Sequence, residues 1–317
     1  MFDTLQSIIP TVLFYSAPLI LTALGGVFSE KSGVVNIGLE GLMVIGAFTG
    51  IVFNLTFADV FGTWTPWVSI VAATVIGAIF SIIHAVASVT FHANQVVSGV
   101  AINMLAVGIG VDLTKEWYDK GQTDMVAQPF YTTSIPILSE IPIIGPLFFK
   151  GIYLTSYVAI ILAFVSWFVL YKTPFGLRLR AVGEHPMAAD TNGIKVAQMR
   201  YIAVILSGAF GGLGGGVFAL TIVSNFSGST IVGQGFIALA AVIFGKWHPL
   251  GAMGAALFFG LAQSLSVVSA GIPLLENVPQ VFLLIAPYVL TIIALAGFIG
   301  RADAPRANGV PYIKGSR

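Results

Sequence analysis

The feature that most constrains this chain is a series of apolar runs of about 20 residues, separated by charged or turn-forming residues. Of the 317 residues, 57% are hydrophobic and only 9% are charged. A helix rises about 1.5 Å per residue, so such a run spans the roughly 30 Å hydrocarbon core of a bilayer. Because lipid supplies no hydrogen-bond partners, the backbone must be helical there. The sequence predicts an all-α, polytopic integral membrane protein embedded in the lipid bilayer.

We predict about nine hydrophobic segments, within a range of eight to ten, forming one helical bundle over residues 1–317. They are residues 7–28, 34–56, 67–89, 94–113, 151–171, 201–223, 233–245, 250–270 and 279–299. The seventh is too short for a straight crossing, so it is predicted to be tilted or to penetrate only halfway. The first resembles a signal sequence, but Pro10 and Pro18 interrupt it and no basic residue precedes it. We expect it to be retained.

The distribution of basic residues predicts the orientation, because Lys and Arg accumulate on the cytoplasmic side. With the N-terminus outside and the C-terminus in the cytoplasm, only Lys115, Lys120 and Lys150 of the 14 basic residues fall outside. This arrangement predicts an external loop at 114–150. It also predicts a cytoplasmic loop at 172–200 and a cytoplasmic tail at 300–317.

Two related motifs suggest an inverted repeat. The first segment contains "LGGVF" and the sixth contains "LGGGVF", and five crossings separate them. Segments one to four would then mirror six to nine, as in many transporters. The alternative is coincidence in a chain with 36 glycines.

Glycines also recur at helical spacing, which is typical of closely packed transmembrane helices. Gly208, Gly212 and Gly216 are four residues apart, as are Gly46 and Gly50. We predict that they allow neighbouring backbones to approach.

The stretch "RAVGEHPMAADTNGIKV" is a polar island in the longest cytoplasmic loop. Pro186 is suited to the first position of a helix, residues 187–191 can continue it, and Gly193 can end it in a left-handed conformation. One interpretation is an ordinary capped loop helix that separates two membrane segments. The other is a protruding element that contacts a partner.

This stretch resembles the "EAA…G" loop of ABC importer permeases, whose short coupling helix sits in a cleft of the ATPase. The flanking "TPFGLRLRAVGE", the N-terminal "GGVFSEKSGVVNIGLEGLMVIGAF" and "ANQVVSGVAINML" resemble more narrowly the permeases of the branched-chain amino acid and ribose importer class, especially the nucleoside or simple-sugar branch. The resemblance covers nearly the whole chain. It implies that ATPase coupling involves Gly183, Glu184, Pro186, Ala188, Ala189 and Gly193.

The resemblance implies four kinds of partner. They are a second permease, identical or related, two cytoplasmic ATP-binding subunits, an extracellular substrate-binding protein and a small neutral solute. This chain has no phosphate-binding loop: its Gly245 and Lys246 are followed by Trp247, and Ala240 stands at the first glycine position. We therefore expect no cofactor on this chain, with ATP and magnesium bound by the partner ATPase.

Placing a polar side chain inside an apolar membrane segment costs free energy, so such residues are candidates for lining a translocation path. They are Asn36, Glu40, Gln95, Ser98, Asn103, Gln234 and Gln263. For each amide the alternative is a hydrogen bond between helices. Asn36 and Glu40 would share one face of segment two, and Lys31 is a candidate partner for Glu40.

Other classes of function have little support in the sequence. There is no cysteine, the net charge of +1 gives no reason to expect nucleic acid, and the four histidines lack metal-ligand spacing. We predict neither a catalytic residue nor a metal site.

The functional prediction is a plasma membrane permease subunit of an ABC importer that carries nucleosides such as guanosine. Simple sugars of the ribose or galactose type are the alternative solute. An ion-coupled secondary transporter using Glu40 is the alternative from another class.

Overall fold

A computed structural model of the chain describes residues 2–268, positions 281, 282, 285 and 289, and residues 304–314. Within these residues the chain forms eleven α-helices. They are α1 (Phe2–Lys31), α2 (Leu39–Phe61), α3 (Thr65–Ala85), α4 (Gln95–Tyr118), α5 (Ile144–Phe148), α6 (Leu154–Lys172), α7 (Pro174–Glu184), α8 (Pro186–Thr191), α9 (Val196–Phe218), α10 (Gln234–Phe244) and α11 (Pro249–Val268). The predicted all-α class is confirmed. Segments one to eight each contain a helix, although residues 34–38 of the second are not helical and the last two residues of the eighth lie outside the described residues. The ninth, 279–299, lies outside the described residues apart from four isolated positions.

Five helical stretches of the described residues are long and apolar enough to cross a membrane. They are Gln6–Lys31, Leu39–Thr90, Gln95–Tyr118, Leu154–Lys172 and Val196–Val223. The second contains both α2 and α3, which are joined by a tight turn at Gly62–Trp64 and pack against each other. The seventh predicted segment, α10, is confirmed as short. Its 11 residues reach only about half the thickness of the hydrocarbon core.

Glycines bring the central helices into direct backbone contact, as predicted from their spacing. A Cβ at Gly46 of α2 would lie 2.2 Å from the carbonyl oxygen of Gly212 in α9, and one at Gly77 of α3 would lie 2.5 Å from that of Gly208. No side chain fits at such distances. Helices α2, α3 and α9 therefore form the close-packed centre of the bundle.

Two stretches of unwound backbone precede corresponding helices. Residues 32–38 separate α1 from α2, and residues 224–233 lie between the end of α9, with its added π-helical turn, and α10. The start of α10 lies against the start of α2, since a Cβ at Gly235 would be 2.5 Å from the Cα of Glu40. The inverted repeat stays a prediction.

Residues 304–314 lie against the helices rather than extending away from them, and we call them the docked tail. The amide of Ala307 donates to the carbonyl of Gly183 at 2.9 Å, and the amide of Gly309 donates to Gly33 at 3.2 Å. The side chain of Asn308 donates to the carboxylate of Glu30 at 3.1 Å. The part of the predicted 300–317 tail that is described therefore packs on the ends of α1 and α7.

Candidate functional site

The predicted coupling loop, 172–200, contains two helices instead of one. Thr173 begins α7, since its hydroxyl accepts the amide of Gly176 at 3.3 Å and Pro174 follows at the first helical position. The helix then breaks at His185. Pro186 occupies the first helical position of α8, as Pro174 does in α7. The 11-residue α7 was not predicted, because "PFGLRLRAVGE" is too short and, with two arginines and a glutamate, too polar to stand out as a membrane segment.

The end of α8 has the predicted geometry. Gly193 adopts φ +81°, its amide donates to Asp190 at 2.9 Å, and Ile194 donates back to Ala189 at 3.0 Å. This closes the last turn of the helix in the way that a left-handed glycine permits. The predicted short helix with a glycine end is confirmed.

The six predicted coupling residues divide into an outward set and an inward set. Glu184, Ala188 and Gly193 are exposed, and Pro186 is half-buried. Gly183 and Ala189 instead face the bundle. A Cβ at Gly183 would lie 2.2 Å from the carbonyl oxygen of Lys31, so this glycine allows α7 to rest on the end of α1.

A groove of about 350 Å³ runs between α7 and α8 on their outer side. Leu177, Ala181 and Ala188 give it an apolar floor, while Arg178 and Glu184 add charge. An apolar groove with charged edges at a protruding helix pair is suited to receiving part of another protein.

The polar residues predicted to line a path surround the unwound segment 32–38. The side chain of Gln95 accepts the amide of Val35 at 2.7 Å, and Asn103 donates to the carbonyl of Ile37 at 3.1 Å while accepting the amide of Gly41 at 2.7 Å. Backbone without helical hydrogen bonds survives in a membrane protein only when other groups satisfy it. Gln95 and Asn103 perform this role, and their lining of a translocation path stays a prediction.

Asn36 belongs to the unwound segment itself. Its amide donates to the hydroxyl of Ser207 in α9 at 2.9 Å, and its oxygen accepts the amide of Gly38 at 3.0 Å. The prediction that Asn36 and Glu40 share a helical face is wrong, because α2 begins only at Leu39. Glycines at 33 and 38 and the side-chain contacts of Asn36 favour a turn over a helix here.

Glu40 joins α2 to α10. Its two carboxylate oxygens accept the amides of Gly233 at 2.5 Å and Gly235 at 2.6 Å, and its side chain is only 7% exposed. The amides at the start of a helix have no acceptor within the helix, so the carboxylate satisfies donors that would otherwise lack a partner. Its negative charge is also stabilised by the positive end of the helix dipole. The suggested pairing with Lys31 is wrong: within the described residues, Glu40 forms no ion pair.

The remaining predicted path residues have different surroundings. Ser98 contacts Nδ1 of His84 at 2.9 Å, and Nε2 of the same ring lies 3.0 Å from the carbonyl of Val35. Gln234 accepts the amide of Val232, which precedes its own helix, at 2.6 Å. Gln263 is half-buried in α11. The structure thus brings Asn36, Gln95, Ser98 and Asn103 together around residues 32–38, and leaves Gln234 and Gln263 outside that group.

His84 was missed as a member of this group. A single histidine at the end of an apolar segment carries no signal in the sequence for what it will contact. Its two ring nitrogens became informative only when the fold placed Ser98 and Val35 on either side.

Similarity to known proteins extends over nearly the whole chain. A family described as the permease component of the branched-chain amino acid transport system matches residues 8–295. The guanosine ABC transporter permease protein NupQ of Bacillus subtilis is 64% identical over 99% of this chain and 98% of its own length. The nucleoside ABC transporter permease protein NupC of Lactococcus lactis is 54% identical over 98% of each. A second guanosine permease protein of Bacillus subtilis, NupP, is 24% identical over 92% of this chain and 83% of its own.

Proposed function

The chain belongs to the permease family of the branched-chain amino acid transport system, and on this premise we propose that it is the membrane-spanning subunit of an ATP-driven nucleoside importer. The observation that carries the proposal is the 64% identity, end to end, with a guanosine permease protein. A multi-pass bundle with unwound backbone at its centre agrees with transport. Guanosine is the solute we propose first, and simple sugars are the alternative.

The groove between α7 and α8 is the proposed docking site for the ATP-binding subunit. Ala188 and Glu184 are exposed in it, whereas Ala189, which also lines the groove, is buried against the bundle. Since the chain has no phosphate-binding loop, ATP and magnesium would be bound by that partner. Hydrolysis there would move α7 and α8 as one unit.

A continuous set of contacts leads from α8 to the centre of the bundle. Gly183 of α7 rests on the carbonyl of Lys31, the last residue of α1. The unwound segment 32–38 follows directly, and Glu40 then joins α2 to α10. We propose that movement of α7 shifts segment 32–38 and so changes how α2 and α10 meet, a rigid-body switch between two arrangements of a packed interface.

Solute would pass next to this junction. Nε2 of Gln95 is buried and has no hydrogen-bond partner among the described residues. A neutral solute with hydroxyl groups and base edges offers the acceptors that such a donor needs. We propose Gln95 as a solute contact in the open state, with Asn36, Ser98 and Asn103 holding the backbone around it.

The proposed assembly contains two different permeases. Bacillus subtilis has two guanosine permease proteins, and the chain shares 64% identity with one and 24% with the other. The higher identity with the first supports an assembly of unlike permeases, so we propose a related, non-identical chain as its partner. An extracellular substrate-binding protein would contact the outer loops, with the N-terminus outside and the C-terminus in the cytoplasm of a plasma membrane protein.

Uptake of radiolabelled guanosine in a strain lacking the chain tests the proposal. Uptake should return with the wild-type gene, and unlabelled nucleosides should compete while ribose and galactose should not. Competition by a sugar alone would support the alternative solute. In proteoliposomes, the chain should be inert without its ATPase; uptake driven by an ion gradient alone would support a secondary transporter, which Glu40 disfavours because both its oxygens accept backbone amides.

A further inference from the structure

A second pocket lies away from the path, on the side of the bundle that carries α7 and α8. Its volume is about 350 Å³, and it is lined by the π-helical turn that follows α3, by α8, by the start of α9 and by the docked tail. Lys195, Arg200 and Lys314 contribute three cations to its wall, and Asp190 contributes one carboxylate. His92 and Tyr312 complete the polar lining. We call it the tail pocket.

Arg200 is the unusual residue of the tail pocket. Its side chain is 1% exposed, and Nη1 donates to the carbonyl of Val310 in the docked tail at 3.0 Å. Nε and Nη2 have no hydrogen-bond acceptor, and the guanidinium has no carboxylate partner, among residues 2–268 and 304–314. A buried cation without a counter-charge is costly, and most buried charges are paired.

The neighbouring charges do not neutralise Arg200. Asp190 already pairs with Lys314, whose Nζ lies 3.6 Å from its carboxylate. Lys195 is exposed at the pocket and forms no ion pair with any described residue. The pocket therefore retains an excess of positive charge in a half-enclosed site, where the effective dielectric constant is lower than in water.

From this arrangement we infer that the tail pocket is a binding site for a phosphate-bearing anion. Guanidinium groups bind phosphate through paired hydrogen bonds, and lysines add point charges that attract it. Basic pockets between transmembrane helices near the membrane surface are suited to phospholipid headgroups, and a soluble phosphate compound offers the same chemistry. The bound anion would connect the start of α9 to the docked tail, and the pairing of Lys314 with Asp190 would extend this connection to α8. It would so restrict the movement of the helix that we propose as the ATPase contact.

The test uses the full-length chain in nanodiscs, with thermal unfolding and native mass spectrometry as readouts. One arm compares phosphatidylcholine with phosphatidylglycerol. The other arm adds inorganic phosphate or adenosine monophosphate to phosphatidylcholine nanodiscs. In whichever arm detects binding of the anion, Lys195→Gln, at an exposed position, should weaken that binding about tenfold. Lys172→Gln, which removes the same charge on the same side but outside the pocket, should leave it unchanged.

Stabilisation by phosphatidylglycerol alone would identify a lipid headgroup, and stabilisation by added phosphate or adenosine monophosphate would identify a soluble ligand. Equal losses of binding affinity in Lys195→Gln and Lys172→Gln would overturn the inference, because the general positive charge of the surface would then explain the binding. Absence of binding in both arms would overturn it as well. Arg200→Gln provides a second variant: if it folds, as judged by its elution volume, it should lose binding together with Lys195→Gln.

Discussion

The carboxylate of Glu40, at the start of α2, accepts the backbone amide of Gly235, at the start of α10, at 2.6 Å. A side chain of one helix thus occupies the position at which a capping residue of the other would normally act. Because 195 residues separate the two, this contact fixes how two distant parts of the chain meet at the centre of the bundle.

Replacing Glu40 with Gln should weaken this junction and alter transport while the protein still folds. Glutamine retains one acceptor oxygen and turns an amide donor toward a second donor, so we expect a cost of about 1–3 kcal/mol. The melting temperature in detergent and the rate of guanosine uptake should both fall. Glu140→Gln, at an exposed position in the loop predicted to be external, is the control and should match wild type. Unchanged uptake in Glu40→Gln would remove this residue from the mechanism.

Gly193→Pro should abolish transport and association with the ATPase but leave membrane insertion intact. Proline cannot adopt φ +81° and also removes the amide that donates to Asp190. Gly193→Ala should give a partial loss, because a left-handed alanine costs about 1 kcal/mol. Co-purification with the ATPase measures the effect.

Gly121→Ala is the matched control for Gly193→Ala. Neither position has a described atom within 4 Å of the added Cβ, but only Gly193 has a positive φ. Equal effects in the two alanine variants would show that the left-handed end of α8 is unimportant.

Gly212→Ala should destabilise the bundle. The added Cβ would lie 2.3 Å from the carbonyl oxygen of Ala73, so α9 and α3 would have to separate, at a cost of about 1–3 kcal/mol. Gly108→Ala in α4 has no described atom within 4 Å and should be neutral or slightly stabilising. Thermal unfolding of the two variants in the same detergent compares them directly. Equal melting temperatures would contradict close packing of α3 and α9.

Reporter fusions test the predicted orientation. A fusion after Asp124 should report the outside of the cell, and one after Asp190 should report the cytoplasm. Each position is fused in turn to a reporter that is active only in the cytoplasm and to one that is active only outside, so that the two sides of the membrane are distinguished. Finding both positions on one side would contradict the topology and with it the docking of an ATPase at α8.

Hydropathy was sufficient to predict the transmembrane helices because each apolar run must be helical in lipid. The short α8 was also predictable, since Pro186 and Gly193 carry their own backbone preferences. Hydropathy could not show where a helix breaks inside an apolar run. The run that begins at Val34 reads as helix, but glycines 33 and 38 and the contacts of Asn36 hold 32–38 unwound.

The positions of polar side chains in the bundle were less predictable. Sequence identified Glu40 and Gln95 as unusual, but their partners are backbone amides of residues 233, 235 and 35, and every residue type except proline provides such an amide. The sequence also could not predict which of Ala188 and Ala189 is exposed, because the two have the same side chain and differ only in what lies beside them.

The most direct test of the coupling role is cysteine crosslinking from α8 in the assembled transporter. The chain has no cysteine of its own, so each introduced thiol is unique in it. Ala188 is exposed and Ala189 is 3% exposed, which makes them a matched pair on adjacent positions. The account predicts that Ala188→Cys is captured by the ATP-binding subunit and Ala189→Cys is not. Continued guanosine uptake without capture from Ala188→Cys would contradict it.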